Sequence, residues 1–474
     1  MLCWHIKICF CTITTLHLLL PIIAMQNKNP GNYRWVIATL LLFSTTINYM
    51  DRQVISYVKE YFCTPLAKGG FGWTDNQYSY VTSFFTAFYA GVTIIAGWVI
   101  DKIGTKLGLA LSLIIWSVFG MVNAFAGSSV TVHIVIRSLF GIGEAGNFPA
   151  SIKTIAEWFP KKERSLATGF FNSGTNLGAM AASLFVPWCL IHYRSALGWK
   201  MAYILTGAFG FLWLIFWFIF YHHPTNSKRM TKEEYDFIHQ DDLLTQQESE
   251  TDKTTTQKIA WFNLFKYPQT WAFFMGKFLT DGIWWFMLFW LPDYFKKQFG
   301  MDLHHIIWPT FIVYSVAIFG SIYGGNLPRL LIKRGMPVFK ARMVAMFIIA
   351  LFPLFLLLTQ YFGDRSIFGT YSPILAIAVI CIGAAAHQAW SANLYTTVSD
   401  LFPKKTVASV IGIGGLAGGI GGVLVQRLSG ILNTYYIATP KTAYLIMFTL
   451  SAVVYLLAWS IIKFLTDRSV NIPD

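Results

Sequence analysis

The hexapeptide Glu157-Trp158-Phe159-Pro160-Lys161-Lys162 recurs as Asp400-Leu401-Phe402-Pro403-Lys404-Lys405, and this repeat decides the fold. Both copies join an acid, an apolar residue, Phe-Pro and two lysines, and both lie between long apolar stretches. Gly169 and Gly178 stand at the same offsets from the first copy as Gly412 and Gly421 from the second. Proline disfavours helical backbone in the residue before it, so Phe-Pro marks a helix end. Paired lysines at such an end suit the cytoplasmic face of a membrane. The chain therefore reads as two halves of like orientation, each carrying the motif after its fourth span.

A bilayer core about 30 Å thick needs about 20 apolar residues of helix. Working outward from the two motifs gives six spans on each side of a polar centre. The first six are Arg34–Val58, Tyr78–Ile100, Leu107–Ala126, Thr131–Ile155, Leu166–Ile191 and Met201–Tyr221. The second six are Trp271–Phe295, His305–Leu327, Ala341–Tyr361, Ser372–Tyr395, Val407–Leu432 and Thr442–Phe464. The expectation is an all-α membrane protein of twelve transmembrane helices in two pseudo-symmetric six-helix bundles. The bundles cover residues 25–221 and 268–474, with a linker at 222–267 whose first part suits a short surface helix. Residues 1–24 are apolar through Ile23, lack an acid and lack a good cleavage site, while Met25 opens a polar segment. They are set aside as a dubious N-terminal extension.

Composition agrees. Hydrophobic residues make up 55% of the chain and charged residues 12%, against about 25% charged in globular proteins. The net charge of +14 comes from short basic bursts between apolar runs, which argues against a nucleic-acid partner. Lys and Arg concentrate in the loops that share a side with both termini and the linker, which makes that side cytoplasmic. Cys3, Cys9, Cys11, Cys63, Cys189 and Cys381 show neither metal-ligand spacing nor a disulfide framework. Neither a metal nor a cofactor is expected, and no loop is long enough for a soluble catalytic domain. Membrane lipid is the expected surroundings, and a monomer the expected state.

Function must then lie among the spans. Asn48-Tyr49-Met50-Asp51-Arg52 places charges inside the first span, Asp51 about 25 Å along the axis from Arg34. The fourth span carries Arg137 and Glu144, seven residues apart and thus on one helix face. Charges at such depth cost a few kcal/mol each unless they pair or face water, so they are functional candidates. An arginine fork can hold a carboxylate ligand through two hydrogen bonds, and a neighbouring acid can alternate between ion pair and protonated form. Static ion pairs tying helices together would use the same residues. Pro149, after Gly141-Ile142-Gly143-Glu144-Ala145-Gly146, suits a hinge. Asn172 and Asn176 share a face of the fifth span and can meet sugar hydroxyls or bond between helices. In the second half, Lys277 and Asp281 stand at i,i+4 spacing before Trp284-Trp285, either a ligand wall or packing. His387 and Asn393 belong to a polar cluster in the tenth span, where a plain hydrogen-bonding histidine competes with a titrating one. The loop after the second span has Gly97, Asp101, Lys102 and Gly104 at spacings that let a carboxylate and cations clasp neighbouring helix ends.

These motifs together resemble the anion:cation symporter family of the major facilitator superfamily. Lys277-Phe278-Leu279-Thr280-Asp281-Gly282-Ile283-Trp284-Trp285-Phe286 and Leu291-Pro292-Asp293-Tyr294 resemble its bacterial hexuronate transporter branch. The resemblance implies proton-coupled import of a small organic anion, such as glucuronate or galacturonate, across the inner membrane by alternating access. It implies Asp51 and Glu144 as the proton-coupling carboxylates. Arg52, Arg137, Tyr49, Asn48, Asn393 and the tryptophans would form the substrate site. The fifth span, Gly169-Phe170-Phe171-Asn172-Ser173-Gly174-Thr175-Asn176, lacks the glycine–proline signature of drug antiporters, which favours import. Two alternatives remain at this level: a transporter-fold sensor of organic anions, and a symporter for aldonates, aromatic acids or dicarboxylic acids.

Overall fold

The computed structural model describes residues 31–193, 196–239, 261–402 and 406–466, and every regular element among them is helical. The first half comprises α1 (Tyr33–Cys63), α2 (Asp75–Ile103), α3 (Thr105–Val122), α4 (Val130–Glu144), α5 (Asn147–Trp158), α6 (Lys161–Asn172), α7 (Gly174–His192) and α8 (Ala196–Phe220). The second comprises α9 (Pro268–Phe299), α10 (Leu303–Lys333), α11 (Val338–Leu351), α12 (Ser372–Leu401), α13 (Val407–Tyr435) and α14 (Pro440–Thr466). Residues 232–239 of the linker are helical. The N-terminal extension at 1–24 lies outside the described residues.

Nine helical stretches among the described residues are long and apolar enough to cross a bilayer. The other three spans are those loaded with charge or broken: α1, the α4–α5 pair, and α9. Their ambiguity has a common cause, since ionisable residues or a break within the span lower the apolar signal that marks it. Apolar side chains such as Leu212, Ile215, Phe216 and Ile219 of α8 point outward, where lipid would cover them.

Local sequence sets the helix ends. Thr74 and Gln77 form a capping box at the start of α2, with Gln77 N–H donating to Thr74 Oγ1 at 3.2 Å. Asp302 caps α10 by accepting the N–H of His305 at 3.0 Å. That amide and the His305 ring hold the Asp302 carboxyl below the ordinary carboxylate range. The repeated Phe-Pro works as expected: α5 and α12 both end on an extended phenylalanine, Phe159 (φ −129°, ψ 137°) and Phe402 (φ −122°, ψ 143°). The acid of each motif then reaches the start of the third span in its own half. Glu157 accepts from Thr105 Oγ1 at 2.6 Å and Tyr221 at 2.8 Å, and Asp400 accepts from Arg342 Nε at 2.5 Å.

The fourth span departs from expectation. It is not one helix through Ile155 but two, interrupted at Ala145–Gly146, immediately after Glu144. Pro149 is not the hinge; it lies in the first turn of α5, where a missing N–H costs no helical hydrogen bond.

The halves meet mainly through α2 against α13, α7 against α10 and α1 against α9. The polar bonds between them gather toward one end, that of the α1–α2 and α9–α10 loops. There Lys59 Nζ lies 2.6 Å from Asp75 and 2.7 Å from Asp293, while Lys297 reaches Asp75 at 2.7 Å and Asp293 at 3.1 Å. Lys296 pairs with Glu60 at 2.7 Å. Tyr78 donates to the Phe289 carbonyl at 3.0 Å, and Arg427 to Ser79 at 2.6 Å. Among the described residues, no ion pair joins the halves at the opposite end, the one bearing the linker. The ion pairs there, Asp101–Lys153, Arg34–Glu163, Arg34–Glu234 and Arg342–Asp400, stay within one half or join it to the linker. Among the described residues, the ion pairs that tie the halves together are thus confined to the end away from the linker.

Pseudo-symmetry extends to the repeated glycines. A Cβ on Gly178 would press on Tyr49 and Met50 of α1, and one on Gly421 on the Phe278 backbone of α9, whereas Gly169 and Gly412 have nothing within 4 Å. Gly178→Ala and Gly421→Ala should each lower stability by about 1–3 kcal/mol through overpacking. Gly169→Ala and Gly412→Ala should be neutral or stabilising by up to about 1 kcal/mol, since alanine favours helix. Thermal unfolding of the four detergent-solubilised variants checks the contrast.

Candidate functional site

Polar residues of the first span meet the interrupted fourth span at the interface between the halves. Arg52 Nη2 lies 2.8 Å from Glu144 Oε2, and Arg52 Nε donates to the same oxygen at 2.9 Å. Their side chains are 1% and 0% exposed, so the pair is sealed from water and lipid alike. Arg52 also donates to Asn48 Oδ1 at 3.3 Å. Four rings surround its guanidinium carbon, with centroids at 4.3 Å (Tyr49), 4.6 Å (Tyr89), 5.1 Å (Trp285) and 5.5 Å (Phe85). Trp285 comes from the second half, so the cage is completed only when the halves approach. Aromatic faces attract a desolvated cation by about 2 kcal/mol, which helps hold the arginine in place.

Arg137, one helical face away on α4, is wholly buried between Phe85 at 4.7 Å and Phe140 at 4.5 Å. It donates to the Arg52 carbonyl at 3.3 Å, while its Nε and Nη1 find no hydrogen-bond partner. Asp51 is buried beside the Thr206 hydroxyl and the Trp116 ring and within electrostatic reach of Glu144 and Arg137, and among the described residues it forms no ion pair. The four charges thus form one cluster. Arg52 faces the second half, and Asp51, one residue earlier, turns into the first.

In the second half, Lys277 Nζ pairs with Asp281 at 2.5 Å and donates to Tyr395 at 3.0 Å. Trp284 lies flat on His387, 5.1 Å between centroids at 3°, and His387 Nδ1 shares a 2.8 Å hydrogen bond with Tyr455. That face of Trp284 is therefore already covered. Asn393 donates to Gly324 and Ala389 carbonyls at 2.8 and 2.9 Å, an anchor between α12 and α10. Asn176 accepts from Gln388 across the halves at 3.4 Å, while Asn172, one turn nearer the open end, is exposed.

The loop signature is a clasp inside the first half. Asp101 binds Lys153 of α5 at 2.8 Å, Lys102 lies over Trp98 at 3.9 Å, and Gly104 turns the chain at φ +84°. Gly97 comes to 4.0 Å from Pro149, measured from where a Cβ would stand. Sequence reasoning missed Tyr89 and Phe85 of the cage and the Lys59–Asp75–Asp293–Lys297 network. The cage residues are ordinary aromatics of an apolar span, and the network's members are far apart in the chain. Charges at span ends were their only local mark.

Comparison with known proteins agrees with this architecture. Residues 41–426 match the model of the Major Facilitator Superfamily. The chain is 31% identical to the hexuronate transporter of Escherichia coli strain K12 over 431 residues, covering 91% of this chain and 94% of that protein. It is 31% identical to the galacturonate transporter of Dickeya chrysanthemi over 300 residues, covering 63% of this chain and 83% of that protein. Among solved structures, a bacterial homologue of the human lysosomal transporter Spinster, inward-facing and unoccupied, superposes with a TM-score of 0.70 at 17% identity, covering 94% of this chain and all of that one. A multi-pass membrane transporter and not an enzyme, this chain belongs to the major facilitator superfamily.

Proposed function

We propose that the protein imports small organic anions, foremost sugar acids such as hexuronates, together with protons across a bacterial inner membrane. The observation that carries this reading is the buried Arg52–Glu144 pair at the interface between the halves. Glu144 occupies two N–H groups of the Arg52 fork, the same two that a ligand carboxylate would take. A proton on Glu144 removes the charge that holds the fork and frees it for the incoming anion. Asp51 forms no ion pair among the described residues, so it can gain or lose a proton without breaking one. The break in the fourth span directly after Glu144 gives α4 and α5 freedom to shift relative to one another when that pair opens.

Lys and Arg concentration on the linker side makes that side cytoplasmic, and the state described is then inward-facing. Its closed end is held by charges from both halves, Lys59, Asp75, Asp293 and Lys297. Those contacts must part for an anion to enter from outside. The names carried by the hexuronate and galacturonate relatives support the substrate class.

Two outcomes follow. In proteoliposomes, Glu144→Gln and Asp51→Asn should abolish accumulation of labelled glucuronate driven by a proton gradient, while exchange of labelled for unlabelled substrate persists. Wild-type accumulation by both variants would refute the coupling role. In a background without native cysteines, Glu60→Cys/Lys296→Cys joined by a short thiol-cleavable crosslinker should reduce uptake at least tenfold, an effect of about 1.4 kcal/mol or more. Reduction should restore it; uptake that continues with the crosslink in place would mean that this end need not open.

A further inference from the structure

We infer that Lys277 is a second binding site for the substrate carboxylate, occupied in this state by Asp281. This rests on the anion-transport reading above and names a residue of the second half that the reading does not require.

Lys277 and Asp281 lie on one helix, one turn apart, and their ion pair joins nothing to anything else. Such a pair contributes about 0.2–0.5 kcal/mol on an exposed helix, while burying two charges costs several kcal/mol per ion. Packing therefore does not explain it. The contrast with the closed end is direct, since there every buried charge spans two helices. The contact Lys277 makes with another helix is through the hydroxyl of Tyr395, a neutral group.

Access separates this pair from the first-half cluster. The Asp281 side chain is 20% exposed, against 0% for Glu144 and 1% for Arg52. Lys277 is nine residues into α9 from the linker end, about 14 Å along the axis, whereas Arg52 is about 28 Å into α1. An anion moving between the Arg52 cage and the open mouth thus meets Lys277 on its way. Tyr395 lies within electrostatic reach of Tyr49 and Tyr89, two rings of that cage, so the two sites adjoin. Gly418 presents bare backbone to Asp281, leaving the carboxylate beside a surface with no side chain of its own. In the exchange, the ligand's carboxylate takes the place of Asp281 on the ammonium, and Asp281 turns to the water of the open side.

A structural pair and a ligand site differ in sign. The test measures binding of glucuronate and of glucuronamide, the same ring with a neutral amide, by thermal stabilisation of the purified full-length protein. Lys277→Gln should weaken glucuronate by roughly ten- to a hundredfold, the span of a hydrogen bond to a charged group, and leave glucuronamide unchanged. Asp281→Asn should tighten glucuronate, because the competitor has gone. Lys277→Arg should retain the preference for glucuronate, which guards against mistaking a folding defect for lost binding. An unaltered glucuronate-to-glucuronamide ratio in Lys277→Gln, or weakening in Asp281→Asn equal to that in Lys277→Gln, would overturn the inference. If the wild type binds neither glucuronate nor any of galacturonate, galactonate and glucarate, the functional reading itself falls, and this inference with it.

Discussion

A charge inside a bilayer is costly unless it is paired, and the buried pair between Arg52 and Glu144 is where that constraint shapes this protein. The two residues come from the first and fourth spans, so their long side chains must bridge from α1 to α4, while α4 itself packs against α2 and α3. Tyr49, Tyr89 and Phe85 then close over the guanidinium from the first half, and Trp285 from the second. Removing either charge would strand the other, at a cost of about 3–5 kcal/mol. On the function proposed above, a pair this expensive to break changes only when a proton or an anion takes one partner's place.

The other ionic groups differ in what they connect. Lys59, Asp75, Asp293 and Lys297 form one network at one end, and its two links between the halves, Lys59–Asp293 and Lys297–Asp75, would be lost if the halves rocked apart. Asp101–Lys153 and Arg342–Asp400 stay within a half. Lys277–Asp281 stays within a single turn of helix. Coulomb attraction is common to all of them, but only pairs that cross between the halves bias one conformation over another.

Close helix approach is the second requirement. Gly178 lets α7 rest on α1, and Gly421 lets α13 rest on α9 at the corresponding place in the second half. Without a hydrophobic drive between helices in lipid, such backbone proximity supplies the van der Waals contact that holds each bundle together. Symmetry of the sequence has become symmetry of packing.

The sequence by itself determined the twelve spans, the parallel repeat and the identity of the charges in the first and fourth spans. Each of these is local: apolar length marks a span, Phe-Pro stops a helix, and an ionisable residue amid apolar ones stands out. It did not place the break in the fourth span, because Pro149 was the evident breaker while the interruption falls at Ala145–Gly146. Nor did it say that Asn393 bonds to α10, that Trp284 is covered by His387, or that Lys59 would find Asp293. Those facts depend on which helices lie side by side and how far each is rotated. Rotation is settled by the packing of all the spans at once, so only the tertiary structure decided which polar groups face one another and which end of the protein is shut.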